Sequence, residues 1–402
     1  MSKLDDLINE LCPNGVEYKK ISEVCEISRG IVMSKDFIRD NAGNYPVYSS
    51  QTENDGCLGY INTYKYDGEY LTWTTDGANA GTVFYRNGKF SVTNVCGLLK
   101  VININLITKF LFYALNIEAP KHVNRGMGNA KLMSNVMDSI SIPVPPLAVQ
   151  CEIVRILDNF TELTAELTAE LTARKKQYEY YRDSLLTFKT EIPRVKLGDI
   201  ATEIYRGSGI KKDEVTLDGI PCVRYGEIYT KYNIWFDSCV SHTKLEYVYS
   251  PKYFEYGDIL FAITGESVED IAKSIAYVGK EKCLAGGDIV VMKHKQNPKY
   301  LSYALSTVDA IKQKGKGKVK SKVVHSSVPA IQDIEIPLPP LEIQERIVNV
   351  LDNFDAICSD LKIGLPAEID ARKKQYEYYR DLLLRFELLG TNIATHTHTH
   401  TR

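Results

Sequence analysis

At 402 residues the chain is too long for one ordinary hydrophobic core, so two or three domains are expected. Residues are 44% hydrophobic and 25% charged, and no apolar run approaches the ~20 residues a membrane span needs, which excludes a bundle of membrane helices. The formal net charge of −2 excludes a uniform polycation, so a nucleic-acid binder of this composition has to concentrate its positive charge locally.

The first residues, Met1-Ser2-Lys3-Leu4-Asp5-Asp6, carry acids and lack an apolar signal core, so no export signal is expected. The nine cysteines are odd in number and form no C-x-x-C pair. A disulfide framework and a zinc ribbon are therefore disfavoured, and free thiols in a cytoplasmic protein are the expectation.

Along the chain the strongest signal is an internal duplication. Ile142-Pro143-Val144-Pro145-Pro146-Leu147 returns as Ile336-Pro337-Leu338-Pro339-Pro340-Leu341. The stretch from Ile153 to Phe160 returns from Ile347 to Phe354, again 194 residues on. ARKKQYEYYRD, Ala173 to Asp183, returns unchanged at Ala371 to Asp381. A weaker echo opens each half, Lys20-Ile21-Ser22-Glu23-Val24 against Lys196-Leu197-Gly198-Asp199-Ile200. Each is followed by an Arg-Gly pair, Arg29-Gly30 or Arg206-Gly207.

Residues 16–140 and 192–335, between these anchors, diverge. They hold short β-like runs such as Tyr70–Thr74, Gly81–Tyr85, Ile259–Ile263 and Ile289–Met292, separated by turn formers such as Asn87-Gly88 and Gly286-Gly287. Short helices are predicted near Leu106–Asn116 and Lys299–Lys312. The repeats read as long helices after their proline pairs, with apolar residues at Ile153, Ile156, Phe160, Leu163, Leu167 and Leu171, and at Ile347, Val350, Phe354, Ile357 and Leu361. In the first copy Leu-Thr-Ala-Glu is repeated from Leu163, and a four-residue period keeps its leucines near one face. The second copy has Gly364-Leu365-Pro366 there, where a break or a fresh start is predicted.

The fold class predicted is α+β: two small mixed α/β domains separated by two long helices packed as an antiparallel coiled coil, with a pseudo-two-fold internal repeat. The expected ranges are 1–141 and 191–335 for the two domains, 142–190 and 336–390 for the helical segments, and 391–402 for a low-complexity Thr-His tail.

Catalytic signatures are scarce. The chain has no G-x-x-x-x-G-K-[ST] loop for a nucleotide and no methyltransferase Asn-Pro-Pro-aromatic run. Its histidines, among them His122, His242, His294 and His325, lack metal-ligand spacing. No catalytic residue, metal or cofactor is assigned.

Candidate DNA contacts are local. Lys312, Lys314, Lys316, Lys318, Lys320 and Lys322 alternate with other residues and no acid intervenes. In an extended chain this period places the six ammoniums on one side, where they could follow phosphates. A solvated loop is the plainer reading. The matching place in the first half, Lys121 to Lys131, includes Lys121, Asn124, Arg125 and Lys131 and is also free of acids. Arg206 is a further candidate for DNA contact. For base reading the candidates are Ser50, Gln51, Thr75 and Asn79 in the first half, and Arg224, Glu227 and Thr264 in the second. Turn formation explains each of these about as well. Tyr180, Tyr181, Tyr378 and Tyr379 are candidates for partner binding, because the helices carry more aromatic surface than one packed stripe needs. Packing between the two copies is the alternative.

The run Ile336–Leu341 with Glu342-Ile343-Gln344-Glu345-Arg346-Ile347-Val348, then Leu351-Asp352-Asn353-Phe354 and Arg372–Asp381, resembles the conserved region of specificity subunits of Type I restriction-modification systems. The Thr-Ala-Glu-Leu units at Thr164–Leu167 and Thr168–Leu171 resemble the spacer repeats of that family. The resemblance implies two target-recognition domains, each reading half of a bipartite site on double-stranded DNA, with helices that bind two methylation subunits. It further implies restriction subunits, with S-adenosylmethionine, ATP and magnesium on those partners, none in this chain, and no membrane. A fragment of a single-chain restriction enzyme and a coiled-coil adaptor without DNA affinity are the competing readings.

Overall fold

The computed structural model describes residues 3–126, 128–188, 192–267, 270–315, 318–320, 323–359 and 364–388, apart from the side chains of residues 318–320 and 323. The chain forms two compact units. The first runs up to Glu166 and resumes at Ile369; the second spans Leu167–Glu368. Each unit therefore holds one globule, the first part of the long helix that follows it, and the last part of the other long helix.

In the first unit a six-stranded sheet has the order Cys25–Arg29, Cys96–Val101, Tyr66–Thr74, Val83–Val92, Ala42–Tyr48, Cys57–Ile61. Only the pair joining Ala42–Tyr48 to Val83–Val92 is parallel. Residues 75–82 close the longest hairpin, with Gly77 and Gly81 at φ +101° and +86°. Asn87-Gly88, expected as a turn, lies instead within the paired strands opposite Glu69 and Gly68, where Gly88 keeps a φ of +98°. Helix α1 (Thr108–Glu118) covers the sheet with Phe110, Leu111, Tyr113, Ala114 and Leu115.

The second unit instead holds two five-stranded sheets. One is Ala201–Arg206, Ile289–His294, Ile259–Ala262, Ser274–Tyr277, Trp235–Phe236. The other is Val215–Thr216, Ser241–Thr243, Ile220–Val223, Cys283–Ala285, Tyr253–Phe254. Ile259–Ala262 and Ser274–Tyr277 are buried at every residue, which is why Ile259–Ala262 reads as a continuous apolar run without alternation.

The duplicated blocks fold alike. Glu17–Lys20 pairs antiparallel with Ser141–Val144, and Arg194–Lys196 with Glu335–Pro337. Each opening strand leads into a one-turn helix, Ile21–Val24 or Leu197–Ile200. The first residue of each turn is fully buried, and its amide donates to Ile140 or Ile334 at 2.9 Å. The glycine of each Arg-Gly pair is demanded by close approach. A Cβ on Gly30 would stand 1.8 Å from the Val92 carbonyl oxygen, and one on Gly207 2.2 Å from that of Gly286.

Helix α2 (Leu147–Leu186) is continuous for 40 residues. In the second unit α3 (Pro298–Leu305) packs on the buried sheet, and α4 (Leu341–Ser359) lies against α3. The second copy of the long helix resumes as α5 (Leu365–Leu383), with Pro366 in its first turn, the restart that Gly364-Leu365-Pro366 predicts.

Within the second unit the end of α2 runs antiparallel to α4. Tyr181 stacks on Phe354 at 5.6 Å, Asp355 lies near Tyr178, and Cys358 lies near Arg174 and Lys175. Within the first unit the start of α2 packs on α5, with Phe160 stacked on Tyr379 at 5.4 Å. The two stacks are the same contact exchanged between the copies.

Candidate nucleic-acid interface

Each globule is seated on its helix by the same buried polar device. Gln150, fully buried on α2, accepts from the Ile107 amide at 2.8 Å and donates to the carbonyls of Asn105 and Pro145, both at 2.7 Å. Gln344 on α4 accepts from the Asn297 amide at 3.0 Å and donates to Pro339 O and Gln296 Oε1. Two turns further on, Asp158 accepts from Lys109 Nζ and Tyr113 OH, both at 2.6 Å. Asp352 accepts from Lys299 Nζ at 2.6 Å and Tyr303 OH at 2.7 Å. Burial and the facing carboxylate hold both phenols well above their ordinary range, so they remain donors. Sequence reasoning missed these four positions, although all lie at matching places in the two copies.

On the first globule the candidates from three chain segments come together. Asp76 and Asn124 each bridge to Lys131, Gly77 N donates to Ala130 O at 3.0 Å, and Leu132 N donates to Thr75 O at 2.8 Å. The basic segment from Lys121 to Lys131 is thus laid beside the loop after Tyr66–Thr74. From that loop Asn79 Nδ2 donates to Thr52 Oγ1 at 2.8 Å, which ties it to the segment bearing Ser50 and Gln51. Arg125, Lys131 and Asn79 are exposed. Lys121 is exposed and paired with Glu118. Gln51 donates to Cys57 O. Thr75 is buried and donates to Val95 O at 2.8 Å, so its hydroxyl shapes the loop and is not presented to solvent.

On the second globule Arg224 and Glu227 line an open cleft of about 810 Å³ with Lys212, Lys231, Gly287 and Asp288. Thr264 lines an adjoining one of about 410 Å³ with Tyr225, Tyr229 and Glu266. Glu227 is buried; it accepts from Arg224 N at 2.9 Å and Ser241 Oγ at 2.6 Å, which makes it a support for Arg224. Arg206 donates to Gly287 O at 2.6 Å and pairs with Asp288 at 2.5 Å, at the edge of the larger cleft.

The lysine row differs from the extended strip expected. Val308–Lys314 is helical, so Lys312 and Lys314 are ~200° apart around the axis. Lys312 is exposed, whereas Lys314 is buried and donates to Ser274 Oγ at 2.9 Å. Burial, then Lys273 nearby, pushes the Lys314 ammonium down to about 7. Lys314 is thereby removed from any phosphate-following row. Lys318–Lys320 is a strand paired antiparallel with Val323–His325, whose other neighbour is Thr264–Gly265. Lys316, Lys322 and the Thr-His tail lie outside the described residues.

The four tyrosines divide. Tyr180 and Tyr378, equivalent in the two copies, are 70% and 65% exposed. Their neighbours Tyr181 and Tyr379 are the ones stacked on Phe354 and Phe160. Among the described residues no set of three metal-ligating side chains is gathered, and no helix is long and apolar enough to cross a membrane.

Comparison with known proteins agrees with this architecture. Residues 13–174 and 191–371 match the family described as the Type I restriction modification DNA specificity domain. A Mycoplasma pneumoniae protein assigned as a type I specificity subunit is 35% identical over 372 residues, covering 91% of this chain and 97% of its own. A second from the same organism is 36% identical over 345 residues, covering 82% and 97%. Among solved structures, the S subunit of a Type I restriction-modification system from M. genitalium superposes with a TM-score of 0.52 at 16% identity, covering 92% of this chain and 95% of that one. A chain from a type I R-M system, solved to explain complex assembly and conformational transition, gives 0.61 at 14% identity, covering 93% and 98%. With both halves matched and two relatives aligned over nearly their whole length, the chain belongs to the Type I restriction-modification specificity subunits.

Proposed function

We propose that this chain reads a bipartite site on double-stranded DNA, one half-site per globule, and carries no catalytic group of its own. The observation that supports this most is the pairing of equivalent seats with different heads. Gln150 and Asp158 hold one kind of sheet, Gln344 and Asp352 another, as a device with fixed assembly and variable reading requires. Phosphate contacts fall to the exposed cations Arg125, Lys131 and Lys312 and to the lysines beyond Lys314. Base reading falls to the loops bearing Ser50, Gln51 and Asn79, and to the clefts bearing Arg224 and Thr264. Tyr180 and Tyr378 offer equivalent aromatic surfaces to two methylation subunits, which bring S-adenosylmethionine. Restriction subunits bring ATP and magnesium, and the complex works in the cytoplasm.

Mapping methylated adenines in cells that express the chain with its methylation subunit tests this reading. Exchange of residues 16–140 for those of a relative is expected to change one half-site and leave the other. A change in both, or methylation or cleavage of DNA by the purified chain given magnesium and S-adenosylmethionine, would refute it.

A further inference from the structure

We infer that Arg86 is the positioning residue of the first half-site: from an interior strand of the sheet it fixes the loop 49–56 in the shape that presents Ser50, Gln51 and Thr52 to DNA. This inference rests on the reading of the first globule as a DNA-recognition domain.

Arg86 sits in the strand Val83–Val92, opposite Tyr70, and is only 3% exposed. Its guanidinium lies 3.6 Å from the centre of the Tyr48 ring and 4.6 Å from that of Phe84, so its flat faces are covered by aromatic surface. Its edge is spent on hydrogen bonds. Nε donates to Thr72 Oγ1 at 3.2 Å, Nη1 to the Asp55 carboxylate, and Nη2 to the Asp55 carbonyl at 2.6 Å. The carbonyl bond grips the loop by its backbone.

The loop needs such a grip. Asn54, Asp55 and Gly56 are consecutive left-handed residues, with φ of 49°, 54° and 75°, a conformation that non-glycine residues seldom adopt and hardly ever in series. At Gly56 a Cβ would stand 3.1 Å from Arg86 Nη2. The strain gains no core: no apolar side chain occurs from Ser49 to Asp55, and Glu53, Asn54 and Asp55 are exposed. Strained backbone held by a buried ion and yielding no burial marks a preorganised surface.

What the loop presents is polar. Its ends are closed by Ser49 N to Gly56 O at 3.0 Å and by Thr93 Oγ1 to Ser49 Oγ at 3.0 Å. Its crown is joined through Thr52 to Asn79, and so to the loop that pairs with the basic segment around Lys131. Arg86 reaches no solvent and is no base reader itself. It acts through the loop, and its loss is expected to blur discrimination while leaving phosphate contacts intact.

The test uses the full chain in complex with its methylation subunit and a pool of random-sequence duplex DNA, sequenced after selection. Wild type is expected to enrich two blocks, one of which is replaced when residues 16–140 are exchanged. Arg86→Met keeps the apolar fill and removes every donor. It is expected to lower base discrimination in that block about tenfold or more, with the other block and the affinity for unselected DNA unchanged within about twofold. Asp55→Ala touches a side chain 72% exposed, leaves the core intact, and is expected to act in the same direction by a smaller factor. If both variants keep the wild-type block, the inference is wrong and the bipartite reading stands. The inference also fails if Arg86→Met weakens both blocks in proportion to a lowered melting temperature while Asp55→Ala behaves as wild type; Arg86 is then structural only. If wild type enriches no sequence, the recognition reading itself falls, and the inference with it.

Discussion

The two globules solve one problem with different sheets. The first uses a single six-stranded sheet with strands of up to ten residues, the second two five-stranded sheets whose strands reach six residues at most. Yet the seats agree to within about 0.2 Å in each equivalent hydrogen bond at the Gln150/Gln344 amide oxygen and the Asp158/Asp352 carboxylate. A seat made of buried polar groups needs only a backbone amide, a lysine and a tyrosine at the right places on the head, here Ile107, Lys109 and Tyr113 or Asn297, Lys299 and Tyr303. Everything beyond those places is free to change. A seat made of apolar packing would have constrained the shape of the whole covering surface.

The sharpest way to break this equivalence is to remove the glutamines. Gln150→Ala and Gln344→Ala each strand buried donors and acceptors, at about 1–3 kcal/mol for each group left unpaired. Losses of about 3 kcal/mol or more are expected, similar in the two variants and confined to the altered unit. Asp158→Ala and Asp352→Ala, which remove charge-assisted bonds from partly accessible carboxylates, are expected to cost about 2 kcal/mol each. Urea denaturation combined with unit-specific hydrogen exchange measures both. A large loss in one half and none in the other would show that the seats are not equivalent.

Acid separates the halves where the repeat does not match. On α2 Glu152 accepts from Arg155, and Lys3 pairs with it at 3.0 Å. Hydrogen bonds from Arg155 and then Lys3 hold its carboxyl down at about 2. The matching residue on α4 is Arg346, paired with Glu342 at the surface. A depressed carboxylate contributes stability that is present above about pH 4.5 and lost as pH falls towards 2, so this loss belongs to the first unit. The second unit carries His294, whose Nδ1 accepts from Gln296 N at 3.0 Å and whose Nε2 is buried. Burial pushes this imidazole down to about 4. The unfolded chain then takes up a proton at about pH 6.5 that the folded one refuses, and stability is lost between 6.5 and 4, by up to about 3 kcal/mol. The second unit is expected to weaken first on acidification. His294→Gln should flatten its pH profile above 4 and leave the first unit's unchanged. Equal weakening of both units between pH 6.5 and 4.5 would count against this assignment.

The duplication, the long helices and the break at Gly364-Leu365-Pro366 were legible because they are local or repeat in register. The seats were only half legible. Asp158 stands in a repeated block and Gln150 between two of them, but Lys109, Tyr113, Lys299 and Tyr303 lie in divergent segments, 190 residues apart, and only folding brings them to the carboxylates. The lysine row was misread because a period of two shows one face only in extended chain, and Thr307 caps a helix that carries the first two lysines. Arg86 left no signal: one arginine in a strand-like run looks like any solvent-facing residue until its partners from Tyr48, Asp55 and Thr72 are in place.

The tyrosines sharpen the comparison at smaller cost. Tyr181→Ser with Tyr379→Ser removes the two exchanged stacks, at about 1 kcal/mol or a little more per stack, and should lower the melting temperature. Tyr180→Ser with Tyr378→Ser removes exposed rings and is expected to leave melting unchanged while weakening assembly with the methylation subunit, read by size exclusion at several concentrations. Equal loss of assembly from both pairs would assign all four rings to packing.

The smallest change concerns the one stretch where the copies differ in length and continuity. From Leu163 to Glu170, α2 packs little: Leu163 is 45% exposed and Leu167 half-buried. Thr172 turns its hydroxyl back to the Thr168 carbonyl at 2.9 Å, within the helix. Deleting Leu167-Thr168-Ala169-Glu170 shortens the helix by ~6 Å and rotates its C-terminal part by only ~40°, so the apolar stripe nearly survives. With ~3.4 Å of rise per base pair, the gap between half-sites is expected to close by about one base pair, or two if the packing of α5 and α4 absorbs none of the change. Both half-site sequences should persist, because no residue of either globule is altered, and inserting one more such unit should widen the gap equally. Methylation mapping of the deletion decides it. An unchanged gap would mean that the long helices seat the heads without setting their spacing on DNA.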